Sequence, residues 1–280
     1  MLKNKTIAFL GAGSMAEAMI SGIVKSGLMP ASHVIATNKS NVDRLNDLKN
    51  KYGIKGIQRD QLNMKEVDII ILAMKPKDID AALDSLKDEI SPNHVIVSVL
   101  AGISTARMEE GLPEGQQVLR VMPNTSSMLQ ESATAVAGGR YVSMDTVLEI
   151  KHLLSAIGEV YLIDEKQMDI FTGIAGSGPA YFYYLMEHIE KVGQQEGLDK
   201  ETARNIGAQT ILGAARMMLE QSDSPTELRK KVTSPNGTTA AGLEALRENG
   251  GGTAISEAVK SAARKSEEIS AKFEKQLVVQ

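Results

Sequence analysis

Thr6-Ile7-Ala8-Phe9-Leu10-Gly11-Ala12-Gly13-Ser14-Met15-Ala16 is the stretch whose reading decides the fold. Five residues that favour extended structure run straight into a glycine-rich turn, and apolar residues at helical spacing follow as far as Val24. Strand, tight turn and helix in that order open a dinucleotide-binding unit. The turn has the form G-x-G-x-x-G/A, with Ala16 in the last place. Gly11 permits the turn, Gly13 lets the backbone approach a pyrophosphate, and Ala16 lets the helix close on the strand. The pyrophosphate would rest on the free N–H groups at the positive end of the helix.

The chain continues in the same alternation. His33–Thr37 reads as a second strand, at whose end an acidic residue ordinarily binds the ribose hydroxyls of NAD. Asn38-Lys39-Ser40 stands there instead. No carboxylate repels a 2′-phosphate, and Lys39, Ser40 and Arg44 are able to bind one, so NADP is favoured over NAD. Val67–Ala73 is almost uniformly apolar, as a parallel strand covered on both faces must be. It ends in Met74-Lys75-Pro76, a loop that should border the cofactor, since ligands of such sheets lie beyond the carboxyl ends of the strands. His94–Val99 repeats the pattern and ends in Leu100-Ala101-Gly102. Gln117–Val121 and Ala133–Ala137 are further strand candidates, with Met122-Pro123-Asn124-Thr125 between them, and Tyr161-Leu162-Ile163 closes the series. The fold class is therefore α/β at the start, a Rossmann-like doubly wound sheet.

From Asp164 onward Ala, Leu, Met, Glu and Lys recur at helical spacing with almost no strand signal. The reading divides the chain into a dinucleotide-binding domain, 1–164, and an all-α domain, 165–280. Gly176-Ser177-Gly178-Pro179 looks like a helix start, with Pro179 at the first helical position. The segment after it is apolar around much of its circumference through Gln195, and Asp199–Leu219 and Thr253–Lys272 are two more long helices. So much apolar surface in a small domain calls for a partner, and an intertwined dimer is expected. Within this half, VTSPNGTTAAGLEAL, Val232–Leu246, runs from a polar turn into a helix over Ala240–Leu246. Hydroxyls and a glycine beside free helix amides suit a carboxylate or phosphate, although an ordinary helix cap would look the same.

Composition narrows the field. The 280 residues fit two domains at roughly 100 to 200 residues each, and 42% hydrophobic with 24% charged residues is globular composition. A net charge of −4 with mixed signs offers no basic face for nucleic acid. Without cysteine there is no disulfide framework, no thiolate metal site and no cysteine nucleophile, and no metal site of any kind is expected. No signal segment and no apolar run of membrane-spanning length is found, so the protein reads as cytoplasmic, with a small-molecule partner.

Gly176–Tyr181 (GSGPAY) and Val232–Leu246, together with GAGSMA, AMKP and RVMPN in the first half, resemble pyrroline-5-carboxylate reductase along the whole chain and in the right order. Asn236 departs from the family, which more usually has glycine there; Asn tolerates positive φ better than most residues. The resemblance implies reduction of 1-pyrroline-5-carboxylate to L-proline by NADPH, or by NADH as well, as the last step of proline synthesis. It also implies a helical dimerisation domain, an active site completed between subunits, and in some cases larger rings of dimers. Leu10, Gly11, Ala12, Gly13, Ser14, Met15, Asn38, Ala73, Met74, Lys75, Pro76, Val99, Leu100 and Ala101 would touch the cofactor, with Lys39 and Ser40 joining Asn38. Ser234, Asn236, Gly237, Thr238 and Thr239 would hold the substrate carboxylate and ring nitrogen, and the Thr239 hydroxyl is the candidate catalytic group.

A protonated imine already accepts hydride well, so alignment and a carboxylate anchor are the main demands on the protein. His33, His94, His152 and His188 all lie outside the motifs and read as surface or packing residues. Two rivals remain. Another NADP-dependent imine reductase or β-hydroxyacid dehydrogenase would share the plan, but the latter needs a lysine acid/base that is missing around Gly176–Tyr181. A non-catalytic NADP-binding regulator would have no use for the polar loop at Ser234–Thr239.

Overall fold

Ile7–Leu10 (β1) is buried at every residue, which only a strand covered on both faces allows. The computed structural model describes residues 2–275. After β1 come Ser14–Ser26 (α1), Val34–Asn38 (β2), Val42–Tyr52 (α2), Lys55–Gln58 (β3), Ile69–Leu72 (β4), Ile79–Leu86 (α3), Val95–Ser98 (β5) and Thr105–Glu110 (α4). Gln117–Met122 (β6), Ser132–Gly138 (β7), Met144–Leu154 (α5) and Gly158–Leu162 (β8) follow. The eight strands lie in the order β3-β2-β1-β4-β5-β6-β7-β8. Neighbours run parallel except β6 and β7, and the first six have the order of a doubly wound dinucleotide-binding sheet.

Alternation along the strands builds two apolar layers. Ile7, Phe9, Ile69, Ile71 and Val97 meet Met19, Ile20 and Ile23 of α1 and Leu153 of α5 on one face. Ala8, Leu10, Ile70, Leu72 and Ile96 meet Ile79, Leu83 and Leu86 of α3 and Met108 of α4 on the other. Each strand expected from the sequence is present, and one more, β3, joins them. Lys55-Gly56-Ile57-Gln58 carries no apolar run because it is an edge strand with no fully buried residue.

Beyond β8 the chain is helical: Met168–Phe171 (α6), a π-turn at Thr172–Gly176, Gly178–Gln195 (α7), Lys200–Glu220 (α8), Pro225–Lys231 (α9), Thr238–Glu248 (α10) and Gly251–Lys275 (α11). The change of element type thus falls at Leu162, beside the expected division at 164. Packing partitions the chain differently. One compact unit runs to Ser177 and takes back the segment from Ser261 onward, and the other spans Gly178 to Lys260. In the first unit the loop after β5 turns at Gly102, whose φ is +80° and whose missing Cβ would stand 2.7 Å from the Ile269 side chain of α11. Phe273 packs beside it against the second apolar layer.

The second unit buries little of its own apolar surface. Gly178, Ala203 and Gly207 are its buried helix residues among α7 and α8, while Phe182, Tyr183, Tyr184, Leu185, Val192, Ile206, Leu212 and Met218 are exposed. The circumference read as apolar in α7 is therefore left open by the single chain.

Candidate cofactor and substrate sites

Strand register brings the expected cofactor residues to one edge. Leu10 is level with Thr37 on one side and Leu72 on the other, and Leu72 is level with Ser98. Gly11, Asn38, Ala73 and Val99 therefore stand side by side where β1, β2, β4 and β5 end. The ladder extends one residue further: Gly11 N donates to the Thr37 carbonyl at 3.2 Å, Ala73 N to Leu10 at 2.9 Å and Val99 N to Leu72 at 3.1 Å. Gly11 has φ +111°, and a Cβ there would come within 2.5 Å of the Ala73 carbonyl oxygen. The first glycine is demanded by the neighbouring strand as well as by the turn.

The rest of that turn leaves room for a ligand. Gly13 is the N-cap of α1, in extended conformation and with no side chain bonded to the first helical amides. A Cβ on Gly13 would meet nothing within 4 Å, so packing does not demand glycine there, and the open space fits the pyrophosphate of a dinucleotide. Leu10, Ala12 and Leu100 are buried, so they offer backbone rather than side chain. Ser14 and Met15 open α1, and Met74, Lys75, Pro76 and Ala101 continue the chain beyond β4 and β5 along this edge.

The loop after β2 is ordered by its own polar groups. Asn38 Oδ1 accepts from Ser40 N at 3.2 Å and Asn41 N at 3.3 Å, and Asn41 Oδ1 caps α2 by accepting from Arg44 N at 2.9 Å. Lys39 and Ser40 project outward and exposed. Arg44, expected as a free phosphate donor, is committed elsewhere. Its Nε donates to the Ala12 carbonyl at 2.9 Å and its Nη2 to Glu17 at 2.5 Å. Glu17 also accepts from Lys51 Nζ at 2.8 Å and the Tyr52 hydroxyl at 2.9 Å. Lys51 and Arg44 hold its carboxyl down from the ordinary 4.5 to about 2. Sequence reading missed Glu17 altogether, since its partners lie 27 to 35 residues further along the chain.

In the second unit the helix after the polar loop starts at Thr238, two residues before the expected Ala240, with Gly237 as its N-cap. Asn236 has φ +59°, so the asparagine does accept the left-handed turn. Gly237 N donates to the Ser234 carbonyl at 3.1 Å, and a Cβ on Gly237 would lie 2.6 Å from Ser234 Oγ. No side chain caps α10 and its first turn carries no acidic residue. Ser234, Thr238 and Thr239 are exposed, and among the described residues their hydroxyls make no hydrogen bond. Thr239 is the second residue of the helix and its side chain caps nothing; Gly237 caps α10 by its backbone conformation alone.

In the first unit the end of RVMPN reaches the turn that leads into GSGPAY. Ser177 N reaches back to the Thr172 carbonyl at 2.9 Å, which closes the π-turn that runs into GSGPAY and leaves the Ala175 carbonyl to a side-chain partner. Asn124 of RVMPN, buried, supplies one partner: its Nδ2 donates to the Ala175 carbonyl at 3.0 Å. Its own amide donates to Ser132 Oγ at 3.1 Å and its Oδ1 accepts from Ser126 N at 3.0 Å. Widened turns of this kind are frequent at functional sites.

A doubly wound sheet with an open glycine turn, followed by helices whose apolar faces lie bare, defines a two-domain oxidoreductase that uses a nicotinamide dinucleotide. The family described as pyrroline-5-carboxylate reductase dimerisation matches residues 165–269, and that of NADP oxidoreductases, coenzyme F420-dependent, matches residues 6–102. The chain belongs to the pyrroline-5-carboxylate reductase family. It is 59% identical to pyrroline-5-carboxylate reductase 1 of Bacillus subtilis over 97% of this chain and 92% of that one. It is 35% identical to the reductase of Arabidopsis thaliana over 94% and 95%. The solved reductase of Coxiella burnetii superposes with TM-score 0.87 at 32% identity, covering 95% of this chain and 99% of that one. The Plasmodium falciparum pyrroline carboxylate reductase with NADP bound does so with TM-score 0.85 at 26% identity, over 96% and 99%. As a member of this family the chain is a reductase of pyrroline-5-carboxylate in proline biosynthesis and uses NADPH. Its C-terminal half is a self-association domain.

Proposed function

We propose that the loop Ser234–Thr239 holds 1-pyrroline-5-carboxylate, and that the strand-end edge of Leu10–Met15, Asn38–Ser40, Ala73–Pro76 and Val99–Ala101 holds NADPH. When bound, NADPH supplies the hydride that converts the C=N carbon to the CH–NH of L-proline. The observation that carries the substrate assignment is the start of α10, a helix N-terminus whose amides receive no side-chain cap, with no acid in its first turn and exposed hydroxyls around it. Such an end attracts a carboxylate through its free amides and dipole. Ser234, Asn236, Gly237 and Thr238 anchor that carboxylate. The Thr239 hydroxyl hydrogen-bonds the ring nitrogen and supplies or relays its proton as the imine becomes an amine. On the cofactor side, the Gly13 amide receives the pyrophosphate, while Lys39 and Ser40 receive the 2′-phosphate.

Residues 1–164 act as the dinucleotide-binding domain and residues 165–280 as the helical substrate-binding and dimerisation domain. The exposed apolar side chains of α7 and α8 favour an intertwined homodimer, or a ring of such dimers, as the working form. The mixed charge and the lack of cysteine favour a cytoplasmic enzyme with neither a membrane nor a nucleic-acid partner; separately, no helix among the described residues is long and apolar enough to cross a membrane. Mixing the pure protein with NADPH and pyrroline-5-carboxylate, and following NADPH absorbance, tests the whole reading. Turnover with the cyclic imine and none with β-keto acids is expected; no oxidation of NADPH with the imine would overturn it.

A further inference from the structure

Glu17 and Arg44 take part in none of the steps above, yet they form the most tightly bonded charged cluster beside the glycine turn. Glu17 lies in the first turn of α1 with its side chain only 13% exposed. It sits at the helix end that must receive an anion, where an uncompensated carboxylate would repel it. The structure compensates it three times over, through Arg44, Lys51 and Tyr52. The same contacts fix the guanidinium of Arg44, whose Nε faces the Ala12 carbonyl at 2.9 Å.

That second contact has a geometric effect. The peptide bonds of the described chain are trans, and in a trans peptide the C=O and N–H point in opposite directions. Turning the Ala12 carbonyl toward Arg44 therefore aims the Gly13 N–H away from the guanidinium, and at the same residue the Cβ position has no neighbour within 4 Å. We propose that Arg44, held in place by Glu17, is a positioning residue for the dinucleotide: it sets the Ala12–Gly13 peptide so that the Gly13 N–H faces the pyrophosphate. This rests on the cofactor assignment above. It differs from a direct role in binding the 2′-phosphate, because two of the three guanidinium nitrogens are already engaged.

Titration of the full-length protein with NADPH and with NADH, by quenching or transfer of nicotinamide fluorescence, separates the readings. Arg44→Met is expected to raise the Kd for both cofactors alike, about tenfold, because both carry the pyrophosphate. KM for pyrroline-5-carboxylate should stay within twofold. Arg44→Lys keeps a cation beside Glu17 but cannot bridge it to the Ala12 carbonyl, so it should recover less than half of the lost affinity on a logarithmic scale. A loss confined to NADPH would overturn the proposal in favour of a phosphate contact. Full recovery in Arg44→Lys would overturn it in favour of simple charge balance. Unchanged Kd values with a lowered Tm would reduce the pair to a structural brace. Should Arg44→Met not fold, Arg44→Lys and Glu17→Gln are read in the same titrations, and wild-type affinity in both would overturn the proposal. A wild-type protein that binds neither cofactor would instead refute the cofactor assignment itself.

Discussion

The Ala73 carbonyl oxygen stands 2.5 Å from the point where a side chain on Gly11 would begin. Just past the ends of β1 and β4 the two backbones thus approach in a way that leaves no room for a side chain on Gly11. Gly11→Ala must both part β1 from β4 and occupy φ +111°, a conformation costing about 1–3 kcal/mol outside glycine. A lower Tm and an NADPH Kd raised at least tenfold are expected. Gly13→Ala makes the contrast, because its Cβ would meet nothing in the protein. It should keep the wild-type Tm to within about 1 kcal/mol of stability and still lose NADPH. Thermal unfolding and cofactor titration on the same samples check both outcomes.

Thr239→Val removes a hydroxyl that bonds nothing within the described chain and changes no helix cap. Its stability should therefore stay within about 0.5 kcal/mol of wild type, as for a surface substitution. Activity should not. Loss of one donor to the ring nitrogen in the transition state corresponds to a fall in kcat/KM of roughly 10²- to 10³-fold, with NADPH affinity unchanged. Steady-state kinetics on the folded variant decide it, and near wild-type kcat/KM would remove Thr239 from the mechanism.

Asn38→Asp is nearly isosteric and keeps an acceptor for the amides of Ser40 and Asn41, so the loop should hold its shape. The added charge faces a 2′-phosphate unfavourably and a ribose hydroxyl favourably. The ratio of kcat/KM for NADPH over NADH should drop at least tenfold, about 1.4 kcal/mol. An unchanged ratio would place the 2′-phosphate away from Asn38.

Leu212 is 45% exposed in the single chain and lies on α8, among side chains that need a partner. Leu212→Asp should convert the oligomer to monomer in light scattering at micromolar concentration. If the active site is completed between subunits, the monomer will show less than a tenth of wild-type kcat while the NADPH site stays intact.

Glu17 ties stability to acid. Its carboxyl is held at about 2 against the ordinary 4.5, so the ionised form is favoured by folding. That contribution is complete above about pH 4.5 and disappears as pH falls toward 2. Its size is on the order of 2 kcal/mol. Glu17→Gln lacks the ionisation, so chemical denaturation between pH 5 and pH 3 should show a flatter loss of stability in the variant than in wild type.

How much of this was legible in the sequence depended on how far apart the interacting residues lie. The turn at Gly11–Ala16 announces itself because strand, turn and helix are consecutive, and β4 and β5 do so because burial on both faces requires an unbroken apolar run. Lys55–Gln58 escapes notice because an edge strand needs no such run. Arg44 reads as a free donor because its partners, Ala12 and Glu17, belong to a different helix and turn. The π-turn at Thr172–Gly176 leaves no mark on composition, and neither does the buried amide of Asn124 that reaches its Ala175 carbonyl from 51 residues away. In the loop at Ser234–Thr239 a polar turn leading into a helix was legible and the helix start was not, since Gly237 caps by conformation rather than by a side chain.

Because Ile269 and Phe273 lie against Gly102, the loop that ends β5 is backed by residues near the end of the chain. During synthesis the strands emerge first, and the whole second unit must leave the ribosome before that backing exists. At about 5–20 residues per second the wait is on the order of ten seconds. Throughout it the loop at Gly102 lacks that backing, and a nascent chain is open to wrong partners at the strand-end edge proposed to hold NADPH. A premature stop just ahead of Ile269 would therefore do more than shorten a helix: it would leave the opening half of the message with an unfinished cofactor edge.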